Sequence, residues 1–317
     1  MSKQCVVCLM GPTASGKTEV ALQLFDRFGF DLVSVDSALV YRGMDIGTAK
    51  PDADTLARYP HALVDIRDPE DSYSAGDFVR DARQTIADSH AQGRVPLLVG
   101  GTMMYFRSLI HGIAGLPEAD EAVRRSLDAE AARDGWPALH RQLAGIDPQA
   151  AARINQNDSQ RIQRALEVFR LSGRTLTDWQ ADTPSGDDLQ YLKFALIPEP
   201  RAALHERIAR RLDAMFDAGI VAEVATLMRR PGLTSAHSSM RAVGYRQVWQ
   251  HLDGLYDRDE LLHKGCAATR QLAKRQLTWL RGWPELIELQ VDALLQAETP
   301  VARNTLLNRH VDALLAH

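Results

Sequence analysis

No stretch of the sequence approaches the roughly 18 consecutive apolar residues that a membrane-spanning helix needs, so none is expected. Cysteine is scarce. Cys5, Cys8 and Cys266 are the three in 317 residues, too few for a disulfide framework and in keeping with a reducing compartment. Cys5 and Cys8 do form a C-x-x-C, but within Cys5-Val6-Val7-Cys8-Leu9-Met10, an apolar run that reads as a buried strand. An odd spacing on a strand sends two side chains to opposite faces, so neither a redox pair nor a zinc half-site is expected. Basic charge is not in excess either. The net charge of −4 excludes a uniformly basic nucleic-acid binder and leaves room for local basic patches. Internal repeats and low-complexity tracts are missing. Met1-Ser2-Lys3-Gln4 leads into an apolar run of six residues, short for a secretory signal, and the expected location is the cytoplasm.

What is present is a globular composition, 45% apolar and 25% charged. Strands and helices alternate at first. Cys5–Met10, Leu32-Val33-Ser34-Val35, Ala62-Leu63-Val64 and Val95–Val99 read as strands. Lys17–Arg27 and Ala75–Gln92 read as helices, from the spacing of their apolar residues. This pattern predicts a parallel, doubly wound α/β sheet whose ligands sit beyond the C-terminal strand ends. Between residues 113 and 187 strands give way to helices at Glu121–Arg133, Trp136–Ala144 and Ser159–Leu171, with a break at Thr183-Pro184-Ser185-Gly186. Leu189–Ile197 returns to strand character. Helices are then expected at Ala202–Phe216, Val221–Arg229, Met240–Leu252 and Asp259–Leu280. The expected organisation is a core of residues 1–112 and 188–285, a helical insertion of 113–187, and a tail of 286–317 without a motif.

Gly11-Pro12-Thr13-Ala14-Ser15-Gly16-Lys17-Thr18 fits G-x-x-x-x-G-K-[ST], with a strand before it and a helix after it. Its glycines let backbone amides wrap phosphate oxygens at a helix N-terminus. Lys17 would neutralise phosphate charge and the Thr18 hydroxyl would help hold Mg²⁺. The loop specifies a polyphosphate rather than ATP. An NTPase also needs a strand-end acid for its metal, for which Asp36 and Asp65 are the candidates. Asp36 ends the second strand and opens Asp36-Ser37-Ala38-Leu39-Val40-Tyr41-Arg42-Gly43-Met44-Asp45-Ile46-Gly47-Thr48-Ala49-Lys50-Pro51. Its position alone leaves open a cap, a magnesium-shell residue or a catalytic base.

Gly11–Thr18, Asp36–Pro51, Val99-Gly100-Gly101-Thr102 and Arg241-Ala242-Val243-Gly244-Tyr245-Arg246 together resemble the tRNA dimethylallyltransferase (tRNA isopentenyltransferase) family over residues 5–285. The resemblance implies a P-loop NTPase-like core with a helical insertion that grips the anticodon arm. It implies transfer of a dimethylallyl group from dimethylallyl diphosphate to N6 of the adenosine 3′ of the anticodon in tRNA, with Mg²⁺, by a monomer. Asp36 matches the family's general base, and Gly11–Thr18 its diphosphate loop. Thr102 matches a position beside the adenine and the reacting centre. The pattern R-I-x-x-R-x-x-x-M is met by Arg207 and Arg211, which share a helix face, and it sets one of them, taken as Arg211, on the diphosphate with Lys17. The family's C-terminal zinc finger of eukaryotic members has no counterpart, which points to the bacterial type. Leu39 stands where many members carry Gln, and Met103 where many carry a small residue.

Local basic runs would supply the tRNA surface. Residues 153–174 hold five Arg against two acids, and Arg241–Arg281 holds eight Lys and Arg against four. Each such run taken alone reads more simply as a solvated face. The resemblance implies tRNA contacts at Asp36, Ser37, Ala38, Leu39, Thr102 and Arg124, and along Gln160, Arg161, Ile162, Gln163 and Arg164. It adds Arg241–Arg246, and Lys274, Arg275, Gln276, Leu277, Thr278, Trp279, Leu280 and Arg281. The target base would leave its stack to reach Asp36. Two rival readings are a small-molecule kinase using ATP on the same loop and a non-catalytic RNA-binding protein, for which an acid at the loop mouth has no use.

Overall fold

The computed structural model describes residues 4–183, 186–198 and 200–290. The expected break at Pro184-Ser185 and the expected tail beyond residue 290 lie outside the described residues. The chain divides into two compact units, Met1–Ile110 with Asp188–His317, and His111–Asp187.

In the first unit, six described strands form one sheet: β1 (Cys5–Met10), β2 (Asp31–Val35), β3 (His61–Ala62), β4 (Pro96–Gly100), β5 (Gln190–Ile197) and β6 (Ile287–Gln290). Their order is β3-β2-β4-β1-β5-β6 and every pair is parallel. The central strands are apolar throughout because helices cover both faces. Val6, Cys8, Met10, Val33 and Val35 face one layer, while Val7, Leu9, Leu32 and Leu97 face the other. Cys8 and Cys5 accordingly fall on opposite faces, and burial pushes both thiols up. Helix α1 (Lys17–Phe28) packs Val20, Ala21 and Leu24 on one face. Beyond it come α2 (Ala53–Arg58), α3 (Ala75–Ala91) and α4 (Met103–His111), of which α3 and α4 cover the other face with Phe78, Ile86 and Phe106.

Strand β3 is shorter than the expected Ala62-Leu63-Val64, because Leu63 (φ +64°) and Asp65 (φ +54°) leave the extended region. Strand β6 lies within the stretch expected to be a tail, and it pairs with β5 from Phe194 to Ile197.

The second unit contains α5 (Glu121–Asp134), α6 (Trp136–Ile146), α7 (Pro148–Arg153), α8 (Ser159–Ser172) and α9 (Leu176–Ala181). Leu127, Leu139, Leu143, Ile162 and Leu166 form its core. Glu167 of α8 is fully buried there. It accepts from the Asp120 amide (2.9 Å), from Arg124 Nε (2.9 Å) and Nη2 (3.3 Å), and from Arg164 Nη1 (2.6 Å). Burial acts to raise the Glu167 pKa, and the bonds from Arg124, Arg164 and Asp120 outweigh it, holding the carboxyl below its usual range.

Back in the first unit, α10 (Arg201–Asp217), α11 (Ile220–Leu227), α12 (Tyr245–Leu252) and α13 (Arg258–Arg281) complete the fold. The single helix expected over Met240–Leu252 is instead a 3₁₀ turn, Ser239–Arg241, and α12. Gly244, at φ +95°, separates them.

The pairing of Arg124 and Arg164 with a buried carboxylate generates a prediction. Arg164→Ala leaves Glu167 short of a donor and should destabilise the insertion by ~1–3 kcal/mol. Denaturant unfolding followed through Trp136 and Trp179 measures this, and an unchanged midpoint would show that Arg164 does not hold the unit together.

Candidate active site

The site begins where β1 ends. Gly11 is required by close approach, since a Cβ there would lie 2.8 Å from Ser15 Oγ and 3.0 Å from the Leu196 carbonyl. The chain then turns through Ala14 (φ +61°) and Gly16 (φ +86°) into α1. Lys17, the first residue of α1, folds back over the loop, donating Nζ to the Pro12 carbonyl at 2.6 Å and to Ser15 Oγ at 3.5 Å. Burial, and next the Arg211 guanidinium, push its pKa down to about 7, and the Asp36 carboxylate opposes them. Arg211 reaches the same space from α10 and donates to the Thr48 carbonyl at 3.1 Å.

Asp36 follows β2. Its Oδ1 accepts the amides of Ala38 (2.8 Å) and Leu39 (3.3 Å), so it shapes its own turn. Strand β4 ends alongside, and Gly100 permits this: a Cβ there would stand 2.0 Å from the Val35 carbonyl. Thr102 crosses between the two strand ends, donating its amide to the Val35 carbonyl (3.2 Å) and accepting the Ser37 amide at Oγ1 (3.1 Å). Thus Lys17, Asp36, Thr102 and Arg211 come from four separate segments and line one cavity of about 510 Å³.

The same wall carries Thr13, Thr18, Ser37, Ala38, Leu39, Met103, Arg241, Ala242, Val243, Gly244, Arg275, Gln276 and Trp279. Leu39 and Met103, the departures from the family pattern, therefore bear on this cavity directly. Arg207 does not line it, although it precedes Arg211 on the same face of α10. Gly11, Pro12, Ala14, Ser15 and Gly16 shape the loop from behind the wall.

Several expected tRNA contacts are placed differently. The side chains of Ile162, Tyr245 and Leu280 are buried in the core. Arg124 and Arg164 are held by Glu167, and Gln163 donates to Asp128 at 2.7 Å. Gln160, Arg161, Arg246, Lys274, Thr278 and Arg281 are exposed, and Leu277 packs inward. Asp65 is paired with Lys50 at 2.5 Å and is not among the residues that line the cavity.

Glu223, which no motif marks, and Lys50, within the block itself, hold the Asp36 block in place. Glu223 of α11 accepts the amides of Asp45 (3.0 Å), Ile46 (2.7 Å) and Gly47 (3.2 Å), and the Tyr245 hydroxyl at 2.5 Å. Lys50, nearly buried, bridges the Tyr41 carbonyl, Asp45 and Asp65. Nothing in the local sequence marks Glu223, because the loop amides it holds lie about half the chain away.

The family model described as IPP transferase matches residues 39–283. The tRNA dimethylallyltransferase of Thiobacillus denitrificans is 59% identical over 283 residues, covering 89% of this chain and 90% of that protein. The chain belongs to the IPP transferase family. A solved tRNA isopentenylpyrophosphate transferase from Bacillus halodurans is 35% identical, with a TM-score of 0.70 over 99% of this chain and 100% of that one. A eukaryotic dimethylallyltransferase acting on tRNA, 22% identical, has a TM-score of 0.80 over 98% of this chain and 80% of that one, a likeness of fold. The core of this IPP transferase is P-loop NTPase-like, as the loop and its flanking elements led one to expect.

With its pKa lowered to about 7, Lys17 would make the binding of an anion at this loop depend on pH. A diphosphate beside it favours the ammonium form, so its pKa rises on binding. Above pH 7 binding should therefore take up a proton, and affinity should fall as pH rises. Calorimetry at about pH 8 in buffers of differing ionisation enthalpy should show roughly one proton taken up beyond the ligand's own titration, and none from Lys17→Arg, whose cation does not titrate. A second expectation concerns the clamp. Glu223→Ala orphans the loop amides and should lower stability by ~1–3 kcal/mol and weaken pyrophosphate binding, because Thr48 no longer holds Arg211. A variant with wild-type melting and binding would assign Glu223 to the surface.

Proposed function

We propose that this chain transfers a dimethylallyl group from dimethylallyl diphosphate to N6 of the adenosine at position 37 of tRNA, immediately 3′ of the anticodon, and releases diphosphate. The observation that carries the reading is that the phosphate loop, Lys17 and Arg211 share one cavity with the Asp36 carboxylate. The cations belong at a departing diphosphate and the carboxylate at an incoming amine. N6 is a weak nucleophile because its lone pair is delocalised into the ring. As N6 bonds to the allylic carbon, the carbon–oxygen bond breaks and its electron pair stays on diphosphate. Lys17, Arg211 and loop amides stabilise that charge. The amine proton becomes acidic as the bond forms, and Asp36 accepts it through Oδ2, since its bonds to Ala38 and Leu39 use Oδ1. Thr102 orients the turn on which Asp36 sits by way of Ser37.

Mg²⁺ belongs to the same proposal. The Thr18 hydroxyl and Ser34 Oγ, a buried hydroxyl without a partner, both line the cavity and are hard oxygen donors that suit this ion. When bound, it would neutralise charge on the diphosphate. Arg241, Arg275 and Trp279 at the cavity wall, with exposed Gln160 and Arg161 on the insertion, are the proposed tRNA contacts. The proposal takes the enzyme to be cytoplasmic and monomeric; among the described residues no helix is long and apolar enough to cross a membrane. The kinase reading has family membership against it.

Asp36→Asn keeps the shape of the side chain and cannot accept the proton. It should bind both substrates and slow single-turnover transfer by about 10²–10⁴-fold, the usual worth of a general base. Mass spectrometry of nucleosides after incubation with unmodified tRNA, dimethylallyl diphosphate and Mg²⁺ measures this. Rescue of the variant by raised Mg²⁺ would make Asp36 a metal-shell residue instead.

A further inference from the structure

Gln276 lies on α13, within the stretch Lys274–Arg281 expected to touch tRNA, yet its side chain is committed inward. Oε1 accepts the Thr13 amide at 2.9 Å, and Nε2 donates to the Gly101 carbonyl at 2.9 Å. One carboxamide thus fastens the loop after β1 to the turn after β4. Gly101 makes room for it, because a Cβ there would stand 2.4 Å from Nε2. Beside this contact Ala14 of the loop packs against the cluster that Leu204 and Ile208 of α10 form with Ala273 of α13. The phosphate loop therefore rests on α13 through an apolar contact and through a hydrogen bond that occupies one of its own amides. A Thr13 N–H turned to Gln276 is not turned to an anion, so Gln276 selects which loop amides are. The other end of the carboxamide holds the turn that carries Thr102, and Thr102 holds Ser37 beside Asp36.

We infer that Gln276 is a positioning residue of the diphosphate site rather than a tRNA contact, setting the shape of the phosphate loop and locking it to the Thr102 turn. The inference rests on the reading of Gly11–Thr18 as the diphosphate loop. Only a carboxamide meets both partners. A carboxylate can accept from Thr13 but sets its second oxygen against the Gly101 carbonyl, and a methionine does neither.

The test measures binding of inorganic pyrophosphate with Mg²⁺, and separately of an anticodon stem-loop RNA, to the full chain carrying Gln276→Met, Gly101→Ala or both. Each single variant should weaken pyrophosphate binding about tenfold and leave RNA affinity within about twofold. The double variant should be no weaker than either single one, because both remove the same contact. Gln276→Glu, which keeps the Thr13 bond, should fall between. In turnover, KM for dimethylallyl diphosphate should rise while KM for tRNA holds, a split that general loosening of the fold would not produce. If Gln276→Met does not melt cooperatively, Gln276→Glu and Gly101→Ala carry the comparison. Lost RNA affinity with unchanged pyrophosphate binding would make Gln276 a tRNA contact and overturn the inference, as would additive losses in the double variant. A wild-type chain that binds no pyrophosphate would remove the loop reading itself.

Discussion

Two cations, Lys17 and Arg211, share one cavity, and most of the architecture around it serves to keep them there. Burial and then the Arg211 guanidinium raise the cost of charging Lys17, and burial raises the cost of charging Arg211. The hydrogen bonds that hold them come from the backbone carbonyls of Pro12 and Thr48, which orient a cation without cancelling its charge. Asp36 is near enough to favour both cations, while its own Oδ1 is spent on the turn. Such a pair of groups suits an anion, and in the proposed reaction that anion is the departing diphosphate. The dipoles and charges of the site are already oriented before the charge to be stabilised develops.

Holding that arrangement takes links between segments far apart in the chain. Glu223 gathers the amides of residues 45–47, Lys50 draws Asp45 to Asp65, and Thr102 joins the ends of β2 and β4. Each satisfies backbone groups that would otherwise be stranded in irregular segments beside a cavity. The two glycines after β4 belong to the same design. Gly100 lets the strand approach Val35, and Gly101 leaves space for a side chain from α13.

The helical insertion shows how far charge alone misleads. Arg124, Arg161 and Arg164 look equivalent as basic positions near tRNA. In the folded unit Arg161 is exposed and only loosely paired with Asp158, whereas Arg124 and Arg164 converge on Glu167 in the core. A buried carboxylate demands donors more strongly than an exposed phosphate site does. The arginines that satisfy it are structural first, whatever their outer nitrogens also reach.

The alternation of strand and helix, the phosphate loop, the acid at a strand end and the helical stretch before the fifth strand were all legible in the sequence, because each is a short-range pattern of apolar period, glycine or charge. Lys17 could be named as a phosphate-binding group from such patterns alone, while Asp36 stood out as a strand-end acid whose role the patterns left open and the family resemblance supplied. Tertiary structure decided the rest. β6 exists because β5 offers it an edge, and its four residues carry no periodicity long enough to read. The choice of Arg211 over Arg207 for the cavity wall follows from where one turn of α10 meets the phosphate loop. Tyr245 and Gln276 lie in stretches that look like RNA contacts, and they face the core and the loop because Glu223, Thr13 and Gly101 are there to receive them. Those partners are separated by 22 to 263 residues, and no local pattern encodes a hydrogen bond across such a distance.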